Sequence, residues 1–346
     1  MTLNPAVESN ASPEPTKSDV IVQVNDLAVR FDALQGKVPA VNGVSFVVKA
    51  GKTLGIVGES GCGKSVTAQS ILRLLPSPPA KLIGGEIIFR RRTGETVDLA
   101  KLHPRSAEMR SIRGNEIAMI FQEPMTSLTP AYTVGDHITE AIRLHQGVDK
   151  REARKRAIDI LNRVGMPQPA RTIDSYPHQL SGGMLQRAMI AIALSCRPIL
   201  LIADEPTTAL DVTTGAQILD LMESLQQELS MSIIHISHNL GIIAEVADEV
   251  AVMYLGKIVE QATVDELFNN PKHPYTQGLL RSLPQVGEKR RLEPIRGVVP
   301  EPNAIPRGCA FGPRCPQFIP GKCDAAIPPL IQVGQQHSTR CFLYEE

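Results

Sequence analysis

Residues 58–65 read GESGCGKS, and three glycines, a lysine and a hydroxyl in eight positions are suited to holding an anion. Gly58, Gly63, Lys64 and Ser65 fit the pattern G-x-x-x-x-G-K-[ST], in which backbone N–H groups and the N-terminus of the following helix wrap a phosphate. Glycine serves where the backbone takes a positive φ and comes close to the anion. In this pattern Lys64 contacts the β- and γ-phosphate oxygens and the Ser65 hydroxyl ligates Mg²⁺. Ser60, Gly61, Cys62 and Val66 complete the candidate cradle. The surroundings agree, because TLGIVG before the loop reads as a strand and SVTAQSILRLL after it, Ser65 to Leu75, has helical spacing.

Working outward, Ile21 to Val48 alternates with Gly36, Pro39 and Gly43 as punctuation, which predicts antiparallel strands. GGEIIFRRR, Gly84 to Arg92, predicts another strand, and IAMIFQEP, Ile117 to Pro124, a buried one ending in a polar pair. From Thr133 to Tyr176 the pattern turns helical and charged, a helical insertion spanning about 125–185. The α/β rhythm then resumes, with MLQRAMIAIALSC as a helix, PILLIADEP as a fully buried strand, AQILDLMESLQQEL as a helix and SIIHISH as a buried strand. From Pro271 proline becomes dense and apolar periodicity fades. The division expected is therefore a disordered leader over 1–18, a main domain over 19–270 and an extension over 271–346.

A phosphate loop needs a carboxylate to hold its metal, and LLIADE, Leu200 to Glu205, places two at the end of a buried strand. Asp204 would face the Mg²⁺ shell, and Glu205 would lie near the γ-phosphate, where a carboxylate orients and polarises water. The plainer alternative is an acidic pair that caps the next turn.

Composition narrows the function classes. The chain has 346 residues, 42% of them hydrophobic, with 36 Lys plus Arg against 36 Asp plus Glu. Zero formal charge supplies no basic field for nucleic acid or anionic lipid. No apolar run reaches the roughly 18 residues that cross a bilayer, since Ala188 to Ala203 is broken by Arg197 and Pro198. Residues 1–18 lack the basic start and apolar core of a signal peptide, so a cytoplasmic protein is expected.

Leu180 to Met184 reads LSGGM. With this motif between the glycine loop and LLIADE, the chain resembles the ATP-binding cassette (ABC) ATPases, whose signature is LSGGQ. Met184 departs from the usual glutamine. The resemblance implies a P-loop NTPase of RecA-like α/β type: an ABC nucleotide-binding domain with an antiparallel β subdomain and a helical subdomain. It further implies that Ser181, Gly182 and Gly183 contact the γ-phosphate of a partner's nucleotide. Phe31 would stack on adenine, with a plain core phenylalanine as the alternative. Gln122, in IFQEP, would reach the metal and the lytic water, and Asp211, in TALD, would cross a dimer interface. His238 would contact the γ-phosphate, whereas His235, earlier on the same strand, reads as structural.

The same resemblance implies partners. One loop and one signature per chain require a second ABC ATPase subunit, either a copy or a paralogue. Two separate transmembrane permease subunits and an extracytoplasmic binding protein would complete an importer on the cytoplasmic face of the inner membrane, and no nucleic acid is involved. ABC proteins that act on nucleic acid usually carry two cassettes or a long coiled coil, and neither is present here. A stand-alone P-loop kinase or GTPase is the third reading.

The tail is more specific. HPYTQGLL, His273 to Leu280, followed by RSLP and IRGVVPEP, resembles the C-terminal extension of oligopeptide and dipeptide importer ATPases, a branch that includes some nickel and glutathione importers. Cys309, Cys315, Cys323 and Cys341 supply four thiols in a proline-stiffened segment, enough for a closed four-sulfur site. Zinc sites usually use CxxC pairs, which are missing, while iron–sulfur clusters span wider gaps; uncoordinated thiols are the remaining reading. The resemblance suggests a [4Fe–4S] cluster over Zn²⁺. Cys196 reads as core, and Cys62 as a position where alkylation should block ATP.

Overall fold

The computed structural model describes residues 19–33, 36–122, 127–208, 210–283, 294–301 and 304–345. Val20–Ala33 (β1) and Gly36–Lys49 (β2) pair antiparallel, and Ala80–Arg90 (β4) joins the other side of β1, with Thr96–Asp98 (β5) outermost. This is the antiparallel sheet that the alternation predicts. One face of it packs into a core of Val22, Val24, Phe46, Ile87 and Phe89.

The second sheet holds the glycine loop. Thr53–Val57 (β3) lies between Ser232–Ser237 (β8) and Glu249–Tyr254 (β9), parallel to both; Leu200–Asp204 (β7) and Ile117–Ile120 (β6) continue the parallel order. Every residue of β3, β7 and β8 is buried, because one face packs with the helix Lys64–Ile71 against the antiparallel sheet and the other against helices, and this is why these segments read as largely apolar.

Lys64–Ile71 (α1) follows the loop. It stops short of the predicted Leu75, since Arg73 takes φ +53° and the chain turns before Pro76. After α1 comes the short Ala107–Ile112 (α2). The insertion comprises Val134–Gln146 (α3), Lys150–Arg163 (α4) and Pro169–Thr172 (α5), packed with Gly182–Leu194 (α6) around Ile138, Ile142, Ala157 and Leu161. Thr133 opens α3 with a full capping box to Asp136, so the start is written locally.

Beyond β9, Lys257–Thr263 (β10) turns antiparallel, and a hairpin of Ile331–Gly334 (β11) and His337–Thr339 (β12) adds to it. The expected boundary near residue 270 therefore divides a continuous sheet. Buried Glu260 on β10 ties the pieces together: it accepts from the Lys272 and His273 N–H groups and pairs with His337 at 2.7 Å.

Two histidines are buried in this architecture with their pKa values held down to about 4, chiefly by burial. In His273 the Nδ1 accepts from Tyr275 N, which fixes a neutral ring. An unfolded histidine titrates near 6.5, so the unfolded state binds more protons between those values and stability falls as pH drops from about 6.5 to about 4. The loss is on the order of 3 kcal/mol for each ring. Urea midpoints measured across this range should decline on acidification, and a His235→Gln variant should show a shallower decline; equal slopes would refute the neutral burial of His235.

Candidate active site

Parallel pairing brings the carboxyl ends of β3, β8, β7 and β6 to one edge, with Val57 opposite Ser237, Ile236 opposite Asp204, and Ala203 opposite Ile120. The residues just past these ends are the glycine loop, His238, Glu205 and Gln122. Such an edge is where open α/β sheets bind ligands.

The loop is shaped by its glycines. Gly58 takes φ +153° and Gly63 φ +105°, and a Cβ at these positions would lie 2.2 Å from the Met253 carbonyl oxygen and 2.4 Å from that of Ala40. Only glycine fits either place. Ser60 and Gly61 form the exposed crest, and Val66 packs inward against the core. Lys64 is buried, its Nζ donating to the Gly58 and Glu59 carbonyls at 2.8 and 3.2 Å. Cys62 lies buried at 3% exposure, and burial pushes its thiol pKa up against the charge of Lys64.

Ser65 Oγ donates to Asp204 Oδ1 at 3.0 Å. Burial raises the Asp204 pKa and the adjacent Glu205 charge adds to this, against the Ser65 bond and the charge of Lys64. A hydroxyl and a buried carboxylate whose burial outweighs the charge of Lys64 form a hard oxygen donor set, which fits Mg²⁺.

Glu205 is the hub of the site. Its backbone takes φ +49°, held by its N–H donating to Ile236 O at 3.0 Å, and strain of this kind in a non-glycine residue persists only where its surroundings enforce it. Three groups converge on the carboxylate: Gln122 Nε2 at 3.2 Å, Thr208 Oγ1 at 3.0 Å and His238 Nδ1 at 3.1 Å. Burial alone would raise its pKa; the bonds from His238 and Thr208, with the charges of His238 and Lys64, outweigh burial and hold it below the ordinary value. Thr208 is the residue that sequence reasoning missed, although a hydroxyl three positions after Glu205 in EPTT is a local signal for it. His235 is buried away from this group, as its strand position implies.

Ser181, Gly182 and Gly183 gather elsewhere, with Asp211. Ser181 caps α6, and a Cβ on Gly183 would lie 2.9 Å from Thr214 Cγ2, on Val212–Leu229 (α7). Asp211 caps α7 by accepting from Thr214 N at 3.0 Å, a bond that lowers its pKa. Among the described residues no hydrogen bond joins this group to the glycine loop. Met184 is half-buried against the helical core, which explains an apolar side chain there. Phe31 sits half-buried on β1 beside Val38 and Ala80, packed on the sheet core. Glu123 and Pro124 of the IFQEP stretch lie outside the described residues.

None of the six cysteines forms a disulfide. Cys309, Cys315 and Cys323 line one cavity of about 470 Å³. Cys341 is pushed up to about 11, by burial first and then by the charges of the other three thiols. The closed four-sulfur metal site that the sequence suggests is not assembled here: among the described residues no group of three or more His, Cys, Asp or Glu is placed to hold a metal ion. Cys196 is buried in the helical core, as read. No helix among the described residues is long and apolar enough to cross a membrane.

Residues 41–208 match the family described as ABC transporter, and residues 259–323 match the oligopeptide/dipeptide transporter C-terminal region. A Brucella melitensis protein whose name carries the words peptide import ATP-binding protein is 52% identical over 333 residues, 94% of this chain and 98% of that one. The oligopeptide transport ATP-binding protein AppD of Bacillus subtilis is 49% identical over 94% of this chain and 97% of its own length. Among solved structures, the ATP-binding cassette MJ0796, a post-hydrolysis dimer bound to ADP and phosphate, superposes with a TM-score of 0.62. It is 26% identical and covers 70% of this chain and 99% of its own. The chain thus belongs to the ABC transporter family, as an ATPase subunit of its oligopeptide and dipeptide importers.

Proposed function

We propose that this subunit hydrolyses ATP at sites shared between two cassettes, and that the carboxylate hub at Glu205 carries the chemistry. The supporting observation is the convergence of Gln122, Thr208 and His238 on a carboxylate held ionised at the end of β7, beside the glycine loop. An ionised Glu205 accepts a hydrogen bond from water and aims its lone pair at the γ-phosphorus, while Gln122 and His238 fix the carboxylate's orientation. Lys64 exchanges its two loop carbonyls for phosphate oxygens, and the loop N–H groups wrap the β-phosphate. Ser65 and Asp204, with Gln122 nearby, would hold Mg²⁺, which neutralises charge on the β- and γ-phosphates when bound. Phe31 is assigned to the adenine.

The separation of Ser181–Gly183 and Asp211 from the glycine loop supports a composite site in which each chain gives its signature to its partner's nucleotide. Val212, beside Asp211, is 91% exposed, which suits a surface that a second cassette covers. An apolar groove of about 250 Å³, lined by Leu74, Phe121, Leu128 and Met189 next to Gln122, is assigned to a helix of a separate permease. Two such permease subunits and an extracytoplasmic binding protein place the chain at the cytoplasmic face of the inner membrane. Peptide transport is favoured over nickel or glutathione transport by the names of the relatives.

The four thiols are assigned to a [4Fe–4S] cluster. The support is a thiol-only donor set in which Cys309, Cys315 and Cys323 line one cavity and the charges of these three raise Cys341 after burial does.

Two measurements check these assignments. Glu205→Gln should retain ATP binding, lose hydrolysis by at least about 100-fold, and run as a dimer with ATP on size-exclusion chromatography; rapid turnover would remove Glu205 from its role. Protein purified without oxygen should contain about four irons and four acid-labile sulfides per chain with visible absorption. One zinc and no sulfide, or neither metal, would overturn the cluster.

A further inference from the structure

The phosphate loop contains an electrostatic liability. Glu59 follows Gly58 directly, so a carboxylate stands at the mouth of a site that must accept a polyanion, and like charges in such a place repel. The compensating charge comes from the far end of the chain, 255 residues away. Arg314 clasps Glu59 with two bonds, Nη1 to Oε2 at 2.6 Å and Nη2 to Oε1 at 2.9 Å, the fork geometry that a guanidinium makes with a carboxylate.

The clasp is built in. The Arg314 side chain is 4% exposed against 26% for Glu59. Its Nε donates to Arg296 O at 3.1 Å, and its carbon lies 5.8 Å from the Tyr254 ring centre and 5.9 Å from that of Phe311. Tyr254, Tyr275 and Phe311 pack on one another with ring centres 4.7 to 5.4 Å apart. From this packed group the Tyr275 hydroxyl accepts the Glu59 backbone N–H at 2.9 Å. Glu59 O in turn accepts from Lys64 at 3.2 Å, so the clasped residue also touches the loop's lysine.

We propose that the C-terminal extension is part of the nucleotide site, with Arg314 and Tyr275 as positioning residues that neutralise Glu59 and turn its carboxylate away from the phosphates. Arg314 leaves the loop to present N–H groups to the anion; without it the same loop presents a bare carboxylate. This rests on the reading of Gly58–Ser65 as the phosphate site.

The test uses the full-length chain and measures ATP affinity by calorimetry, KM and kcat for ATP, and the melting temperature of each variant. Arg314→Gln should weaken ATP binding about tenfold and raise KM more than it lowers kcat. Adding Glu59→Gln to it should restore most of the affinity, because the charge that needed neutralising is gone, whereas a merely structural loss would not be repaired. Arg314→Lys should lie between. Tyr275→Phe keeps the packed ring, serves if Arg314→Gln does not fold, and should raise KM several-fold at near-parental kcat. Lys64→Ala is the control for the site itself. Parental ATP affinity in Arg314→Gln or, if that variant does not fold, parental KM in Tyr275→Phe, with binding lost in Lys64→Ala, overturns the clasp. Parental affinity in Lys64→Ala overturns the phosphate-site reading and the proposal with it.

Discussion

Parallel pairing of β3 with β8 and β9, and of β7 with β8 and β6, is the constraint on which the active-site geometry depends. Parallel strands cannot be joined by tight hairpins, so the chain must leave the sheet after each one and return along a covering helix. The carboxyl ends of the parallel strands therefore lie on one edge. The glycine loop, Gln122, Glu205 and His238 are distant in sequence and meet because each is the first segment past its strand.

Within that edge two adjacent carboxylates are driven in opposite directions. Burial lifts Asp204, while hydrogen bonds from His238 and Thr208 overcome burial at Glu205. Neighbouring acids separated in this way take different tasks. Asp204, where burial outweighs the charge of Lys64, suits a cation, and Glu205, kept ionised and strained into a left-handed backbone, suits a water molecule. One residue of offset along β7 decides between these roles.

Much of this was legible in the sequence because it is written locally. The glycine loop, the apolar runs of β3, β7 and β8, and the capping box of α3 each depend on residues within a few positions, and the resemblance carried by LSGGM and HPYTQGLL supplied the family. What was not legible depends on distance. Arg314 meets Glu59 across 255 residues, and no periodicity announces that pair. The joining of β12 to β10 was hidden for the same reason: a three-residue strand has too little pattern to read, and its pairing is set by Glu260 and His337 rather than by alternation.

The β11–β12 hairpin also finishes the central sheet. Without it, β10 would be an open border: seven residues, Lys257–Thr263, offering unpaired N–H and C=O groups beside Ile258, Val259 and Ala262, a template for another chain to zip onto. With it, the outermost strand is β11, four residues long with alternate side chains exposed and ending at Gly334, too short to recruit a neighbour. Residues 331–339 thus cover one border of the sheet, and that pairing binds the extension to the cassette independently of any metal or nucleotide.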